Sequence, residues 1–169
     1  MKHRIILVSG MSGAGKTTAM GILEDMGYRC IYQLPFKLLP SLIDYSEEGK
    51  DVRFTHLALS TYISDFQAFY TYLSGLNFNL SVVLLDASDS ELLKRYKFSR
   101  RMHPMLLSNA ASTLEEGIAA ERRIFSQIKE QTITTLDTSV LTATELKQRL
   151  NQLIEVNRKS TFSISFISF

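Results

Sequence analysis

A chain of 169 residues, 45% apolar and 21% charged, is long enough for one domain with a sizeable core and has the balance of an ordinary globular protein. Nineteen basic and seventeen acidic residues leave a formal charge of +2, so overall charge says little about partners. The single cysteine, Cys30, excludes an intramolecular disulfide, and no stretch approaches the ~20 apolar residues of a membrane span, so the expected setting is cytoplasmic.

At the N-terminus Lys2, His3 and Arg4 precede only four apolar residues, too few for a signal-peptide core. Arg4–Val8 instead predicts a buried strand, bounded by Gly10. Lys16–Met26 predicts a helix with Met20, Leu23 and Ile22 toward the core, and Gly27 ends it. Tyr28–Tyr32 is a second strand candidate. Leu34–Gly49, with Pro35 and Pro40, predicts a short helix around Leu38–Tyr45. Phe54–Ser60 follows as a third strand and Ser64–Ser74 as a helix. Ser81–Leu85 is a further strand that ends in Asp86.

Three capping-box patterns then mark helix starts: Ser88 with Glu91, Ser112 with Glu115, and Thr142 with Glu145. The first helix runs to about Ser99, with His103-Pro104 as its end. The second carries Leu114, Ile118, Phe125 and Ile128, and the third Leu146, Leu150, Leu153 and Ile154 on one stripe. Thr132–Leu136 is a strand between the last two. Strands alternating with helices predict an α/β fold with a parallel sheet covered on both faces. After a polar break at Asn157–Ser160, the tail Phe162, Ile164, Phe166, Ile167 and Phe169 reads as an orphan strand. It can dock on the existing sheet or open a second domain.

Residues 10–17, Gly10, Met11, Ser12, Gly13, Ala14, Gly15, Lys16 and Thr17, fit the phosphate-loop (Walker A) pattern G-x-x-x-x-G-K-[ST]. A chance match in a chain this long is roughly a one-in-a-hundred event or rarer, and here the loop joins a strand to a helix, so the phosphate reading is adopted. The N–H groups of Gly13, Ala14, Gly15 and Lys16 are expected to face the β-phosphate of a purine nucleotide, ATP or GTP, aided by the positive end of the helix, with Thr18 alongside. Lys16 would reach the β- and γ-phosphates, and the Thr17 hydroxyl would ligate Mg²⁺. Asp86 at a strand end is a candidate second magnesium ligand and equally a helix-capping residue. Asp137, closing the last strand, reads as a turn residue or as one near the base.

Between Glu91 and Glu115 there is no acidic residue, while Lys94, Arg95, Lys97, Arg100 and Arg101 cluster. Three readings stay open: a lid whose arginines, Arg100 and Arg101, reach phosphates; an RNA-binding strip with Tyr96, Phe98 and His103; or a solvated helix face. His103 is read as structural or solvated.

Several runs together closely resemble the RapZ/YvcJ family of P-loop proteins. They are Val8-Ser9-Gly10 through Lys16, Leu23 to Tyr28, Cys30, Leu34-Pro35, Arg95-Tyr96 with Ser99 to Pro104, and Leu136-Asp137-Thr138-Ser139. The resemblance covers essentially the whole chain. It implies a P-loop NTPase fold of kinase-like type, ATP and GTP binding with Mg²⁺, and at most weak hydrolysis. It also implies regulation: one branch of the family consists of RNase adapters that deliver a small RNA to a ribonuclease, mainly through a second domain. On that reading residues 1–157 are the nucleotide-binding domain, and 158–169 are a linker and the first strand of that second domain. The full-length protein is expected to be a homo-oligomer. Two family elements are replaced: Tyr32-Gln33 stand where the family has Asp-Asn, and Ala58-Leu59-Ser60 where it has Asp-Val-Arg, associated with guanine nucleotides. Hydrolysis, phosphoryl transfer and GTP preference are therefore in question. The alternative, a small-molecule kinase, lacks an obvious base to accept the substrate proton.

Overall fold

The computed structural model describes residues 3–129 and 133–167; for Lys129 and 157–167 the description is of the backbone alone. Five parallel strands form one sheet in the order β2-β3-β1-β4-β5: β1 Arg4–Gly10, β2 Arg29–Ile31, β3 His56–Ser60, β4 Asn79–Asp86 and β5 Thr134–Asp137. The intervening helices are α1 Lys16–Asp25, α2 Leu39–Glu47, α3 Phe66–Ser74, α4 Asp89–Lys97, α5 Pro104–Leu107, α6 Leu114–Lys129 and α7 Ala143–Ile167.

Successive residues of a strand point to opposite faces, and Ile5, Ile6, Leu7 and Val8 are all buried. Both faces of the sheet are therefore covered, which is why β1 is continuously apolar instead of alternating. α1 packs against α7, and α6 carries α4 and α5. Leu146, Leu150 and Ile154 of α7 and Ile118, Phe125 and Ile128 of α6 are the core-facing stripes expected from their spacing.

β1 lies between β3 and β4, with Val8 opposite Ser60 and Gly10 opposite Leu85. The chain leaves β1 toward one side and returns on the other. Such a switch opens a crevice at the carboxyl ends of the strands.

Several local expectations need correction. Residues 52–54 form a 3-10 turn, in which the Asp51 carboxylate accepts from Arg53 N–H, so β3 begins at His56 and not at Phe54. Pro104 opens α5, and α4 has already ended at Lys97. A proline suits a first helical turn, where no N–H is needed. α6 is capped by Thr113, whose hydroxyl accepts from Glu116 N–H at 3.2 Å, one residue beyond the predicted pair. The backbone of 162–167 continues α7 where a strand was expected. A helix satisfies its own amide groups, whereas a lone strand needs a neighbouring edge. Phe169 lies outside the described residues, as does Thr132.

Candidate functional site

The loop after β1 turns at the crevice under tight steric limits. Gly10 has φ +135°, and a Cβ there would lie 2.0 Å from the Leu85 carbonyl oxygen of the neighbouring strand. No side chain can be accommodated. Gly13 has φ +88°, and a Cβ would meet the Tyr96 ring at 3.0 Å. Within the loop, Met11 N–H donates to the Leu85 carbonyl and Ala14 N–H to the Met11 carbonyl. The Ala14 amide was expected to face a phosphate. It is turned into the loop instead.

Two clefts flank the loop and share Gly13 and Gly15. One, of about 330 Å³, is lined by Ala14, Thr18, Arg95, Thr138, Leu141, Thr142, Ala143 and Leu146. The other, of about 240 Å³, is lined by Ser12, Lys16, Thr17, Gln33, Tyr62, Tyr96, Arg101, Met102 and Pro104. Lys16 and Thr17 of such a loop serve the terminal phosphates and their metal. By that pattern the second cleft is the candidate terminal-phosphate side and the first the candidate nucleoside side.

Lys16 Nζ donates to the Gly10 carbonyl at 3.0 Å and stands 5.8 Å from the Tyr62 ring centre. Enclosure of the ammonium pushes it down from 10.5 to about 8, partly opposed by the Glu121 carboxylate.

Of the two lid candidates, Arg101 lines the terminal-phosphate cleft and Arg100 lines neither cleft. Both lie on the segment between α4 and α5. Arg95 does something different. It donates to the Gly13 carbonyl at 2.9 Å, to the Thr138 hydroxyl at 3.2 Å and to the Thr138 carbonyl at 2.9 Å. The Thr138 hydroxyl in turn donates to the Ala14 carbonyl at 2.6 Å. Arg95 and Thr138 thus brace the loop from the β5 side. Asp137 is the last residue of β5, and its carboxylate accepts from Ser139 N–H across the turn that follows.

The Asp86 carboxylate, a candidate magnesium ligand, is engaged at the end of β4. Its Oδ1 accepts from Arg122 at 2.6 Å and from Ala87 N–H at 2.7 Å, and it lines neither cleft. Arg122 also holds Asp89 and the Ala87 carbonyl, so the cation fixes the carboxylate to α6. Ser88 caps α4. No carboxylate lines the terminal-phosphate cleft, and no cluster of three metal-ligating side chains occurs among the described residues. A magnesium ion here would be held by the Thr17 hydroxyl, the phosphates and water, an arrangement usual for this ion.

Ala58 and Leu59 are fully buried in β3, and Ser60 accepts from Gln33 N–H through both its hydroxyl and its carbonyl. None of the three lines the nucleoside cleft. Gln33 adopts φ +50°, a conformation asparagine tolerates better.

Sequence reasoning missed Glu121. This α6 residue is 1% exposed, and its two oxygens accept from Ser12 N–H at 3.0 Å and from the Ser12 hydroxyl at 2.7 Å. Burial raises its pKa, but the His103 ring nitrogen close beside it and the hydrogen bonds from Ser12 outweigh burial and hold it below the usual carboxylate value. His103, read as structural or solvated, is 1% exposed, with Nε2 2.9 Å from Glu121 Oε1 and its N–H not well aligned to that oxygen. Burial, then the nearby Glu121 charge, pushes the Tyr96 hydroxyl up to about 12. A signal for Glu121 did exist: it interrupts the apolar stripe Ile118, Phe125, Ile128 at a core-facing position.

A family model described as the RapZ-like N-terminal domain matches residues 3–158. A nucleotide-binding protein of Moorella thermoacetica is 34% identical over 98% of this chain and 57% of its own length. Another from Lactobacillus acidophilus is 38% identical, over 99% of this chain and 59% of its own length. The chain thus spans less than two thirds of these curated relatives. Among solved structures, the shikimate kinase of Acinetobacter baumannii superposes with TM-score 0.59 at 20% identity, covering 93% of this chain and 95% of that one. The thymidylate kinase of Candida albicans gives 0.58 at 16%, covering 93% of each. At these identities the likeness is one of fold, a P-loop kinase-like α/β architecture. No helix among the described residues is long and apolar enough to cross a membrane.

Proposed function

The chain belongs to the RapZ-like N-terminal domain family, and from that premise we propose that it binds a purine nucleoside triphosphate, ATP or GTP, with Mg²⁺, and turns it over weakly or not at all. One observation carries the reading. The terminal-phosphate cleft holds Lys16, Thr17 and Arg101 but no carboxylate. Phosphoryl transfer needs a group to accept or orient the nucleophile's proton. Glu121, close by, is committed to Ser12 and His103. Binding without turnover suits a regulatory module, as the names of the nucleotide-binding relatives would allow.

Residues 1–157 form this module on our reading, and 158–169 lead toward the further length that the relatives possess. In such a longer protein the nucleotide state would be passed to a second domain. The contacts with a small RNA and a ribonuclease, and the homo-oligomerisation, that the family resemblance implies would lie in that full-length protein. Nucleoside choice falls to the cleft lined by Thr138, Leu141, Thr142 and Leu146, which Ala58-Leu59-Ser60 do not touch.

Calorimetric titration of the chain with ATP and GTP in the presence of Mg²⁺, beside Lys16→Ala, tests the reading. Saturable binding by the wild type and at least a hundredfold loss in the variant are expected, since a buried charge-assisted phosphate contact is worth about 3 kcal/mol. Absence of binding by the wild type to both nucleotides would sink it.

A further inference from the structure

One carboxylate holds together segments that are far apart in the chain. Glu121 accepts from Ser12 at the apex of the phosphate loop, 109 positions away. On its other side stands His103, where the segment carrying Arg100 and Arg101 ends. The His103 Nδ1 accepts from Met105 N–H at 3.1 Å, which caps α5 and leaves the ring proton on Nε2, the atom that faces Glu121. Contact between the histidine and α6 is close, since a Cβ at Gly117, one turn before Glu121, would meet His103 Nδ1 at 3.0 Å. Tyr96 lies against the same ring, 5.2 Å between centres, and also against Gly13.

A buried carboxylate ringed by polar partners is a poor source of stability, because well-packed apolar side chains do as well or better. Its distinctive property is to fix the relative position of the elements it joins. Here those elements are the phosphate loop and the end of the arginine segment. Arg101 shares its cleft with Lys16 and Thr17, on the side where a third phosphate would project. A β-phosphate would rest on the loop itself, independently of Arg101.

We propose that Glu121 is a positioning residue for the terminal phosphate: by holding Ser12 and His103 on one carboxylate it sets Arg101 at the distance from the loop at which a nucleoside triphosphate is bound in preference to a diphosphate. The proposal rests on the nucleotide-binding reading above. Glu121 itself touches no nucleotide atom and acts through Ser12 and His103.

The test is titration of ATP and ADP, each with Mg²⁺, into the wild type, Arg101→Ala, Glu121→Gln and His103→Asn, with thermal melts of each. Asparagine keeps an acceptor to cap α5 but is too short to reach Glu121. The wild type is expected to prefer ATP by about tenfold or more, the worth of one charge-assisted contact. Each variant should bring that ratio to within about threefold of unity, chiefly by weakening ATP, and the Arg101→Ala/His103→Asn double variant should lose no more than the worse single one. Equal weakening of ATP and ADP in Glu121→Gln and His103→Asn, or lower melting temperatures with the ratio unchanged, would overturn the proposal, and so would a wild type that binds both nucleotides alike. If Glu121→Gln does not fold, His103→Asn decides. A wild type that binds neither nucleotide overturns the underlying reading instead, and that result is distinct from the others.

Discussion

Lys16 shows what burial does to a single charge in this site. Its ammonium donates to the Gly10 carbonyl, and its enclosure away from water lowers its pKa to about 8. The folded value lies below the ordinary 10.5, so the cost to folding is fully present below pH 8 and is relieved as pH rises toward 10.5. Phosphate binding has the opposite dependence, because it requires the charged form. Triphosphate affinity should be level below pH 8 and fall by up to about tenfold per unit above it, with proton uptake visible as a binding enthalpy that varies with the buffer's heat of ionisation. Constant affinity from pH 7 to 9.5 would show that Lys16 does not titrate there. The loop residues, Lys16 included, were legible in the sequence because their pattern is local: eight consecutive positions between a strand and a helix. Glu121, Arg95 and Thr138 were harder to read. Their partners lie 109, 82 and 124 positions away, and no periodicity reports such pairings.

At the scale of elements, α6 does two jobs with adjacent residues. Glu121 faces inward to the loop, while Arg122 faces the end of β4 and holds Asp86, Asp89 and the Ala87 carbonyl. This assigns Asp86 to joining strand and helix. Asp86→Asn should therefore leave Mg²⁺-dependent nucleotide affinity within about twofold and lower stability by about 1.5–3 kcal/mol, the range for a hydrogen bond to a charged group. Denaturant melts and calorimetry read the two effects separately. A tenfold loss of Mg²⁺-dependent affinity would return Asp86 to the metal. Helix starts were legible where the cap is a short-range bond: Ser88 accepts from Glu91 N–H, and Thr142 from Glu145 N–H, as the spacing predicts. The third pair slipped by one position because Ser112 and Thr113 are both good caps, and only packing of the following helix chooses between them. In the tail, alternation of Phe162, Ile164 and Phe166 read as a strand, yet the backbone there continues α7. Local pattern does not determine whether an edge is available to pair with.

The whole molecule combines a kinase-like frame with a cleft that lacks kinase acids. Alternating strands and helices made the parallel sheet legible, and the separate motifs made the family legible. The strand order β2-β3-β1-β4-β5 was not, since it is fixed by register between residues such as Gly10 and Leu85 that no local pattern links. A ligand that bridges loop, lid segment and β5 side should stabilise the entire fold. At a free concentration one hundred times its Kd, MgATP should add about 2.7 kcal/mol. For a domain of 169 residues that corresponds to a rise of about 5–10 °C in Tm, readable by calorimetry and absent in Lys16→Ala.

Binding without appreciable turnover is decided by a single-turnover experiment. Protein in excess over ATP, with Mg²⁺ and saturation confirmed by titration, is followed for released phosphate, with Lys16→Ala as the control. The bound nucleotide is expected to stay a triphosphate, with phosphate release little above the control. Rapid release that Lys16→Ala abolishes would overturn binding without turnover, and would mean that this cleft commands a catalytic group other than Glu121 or Asp86.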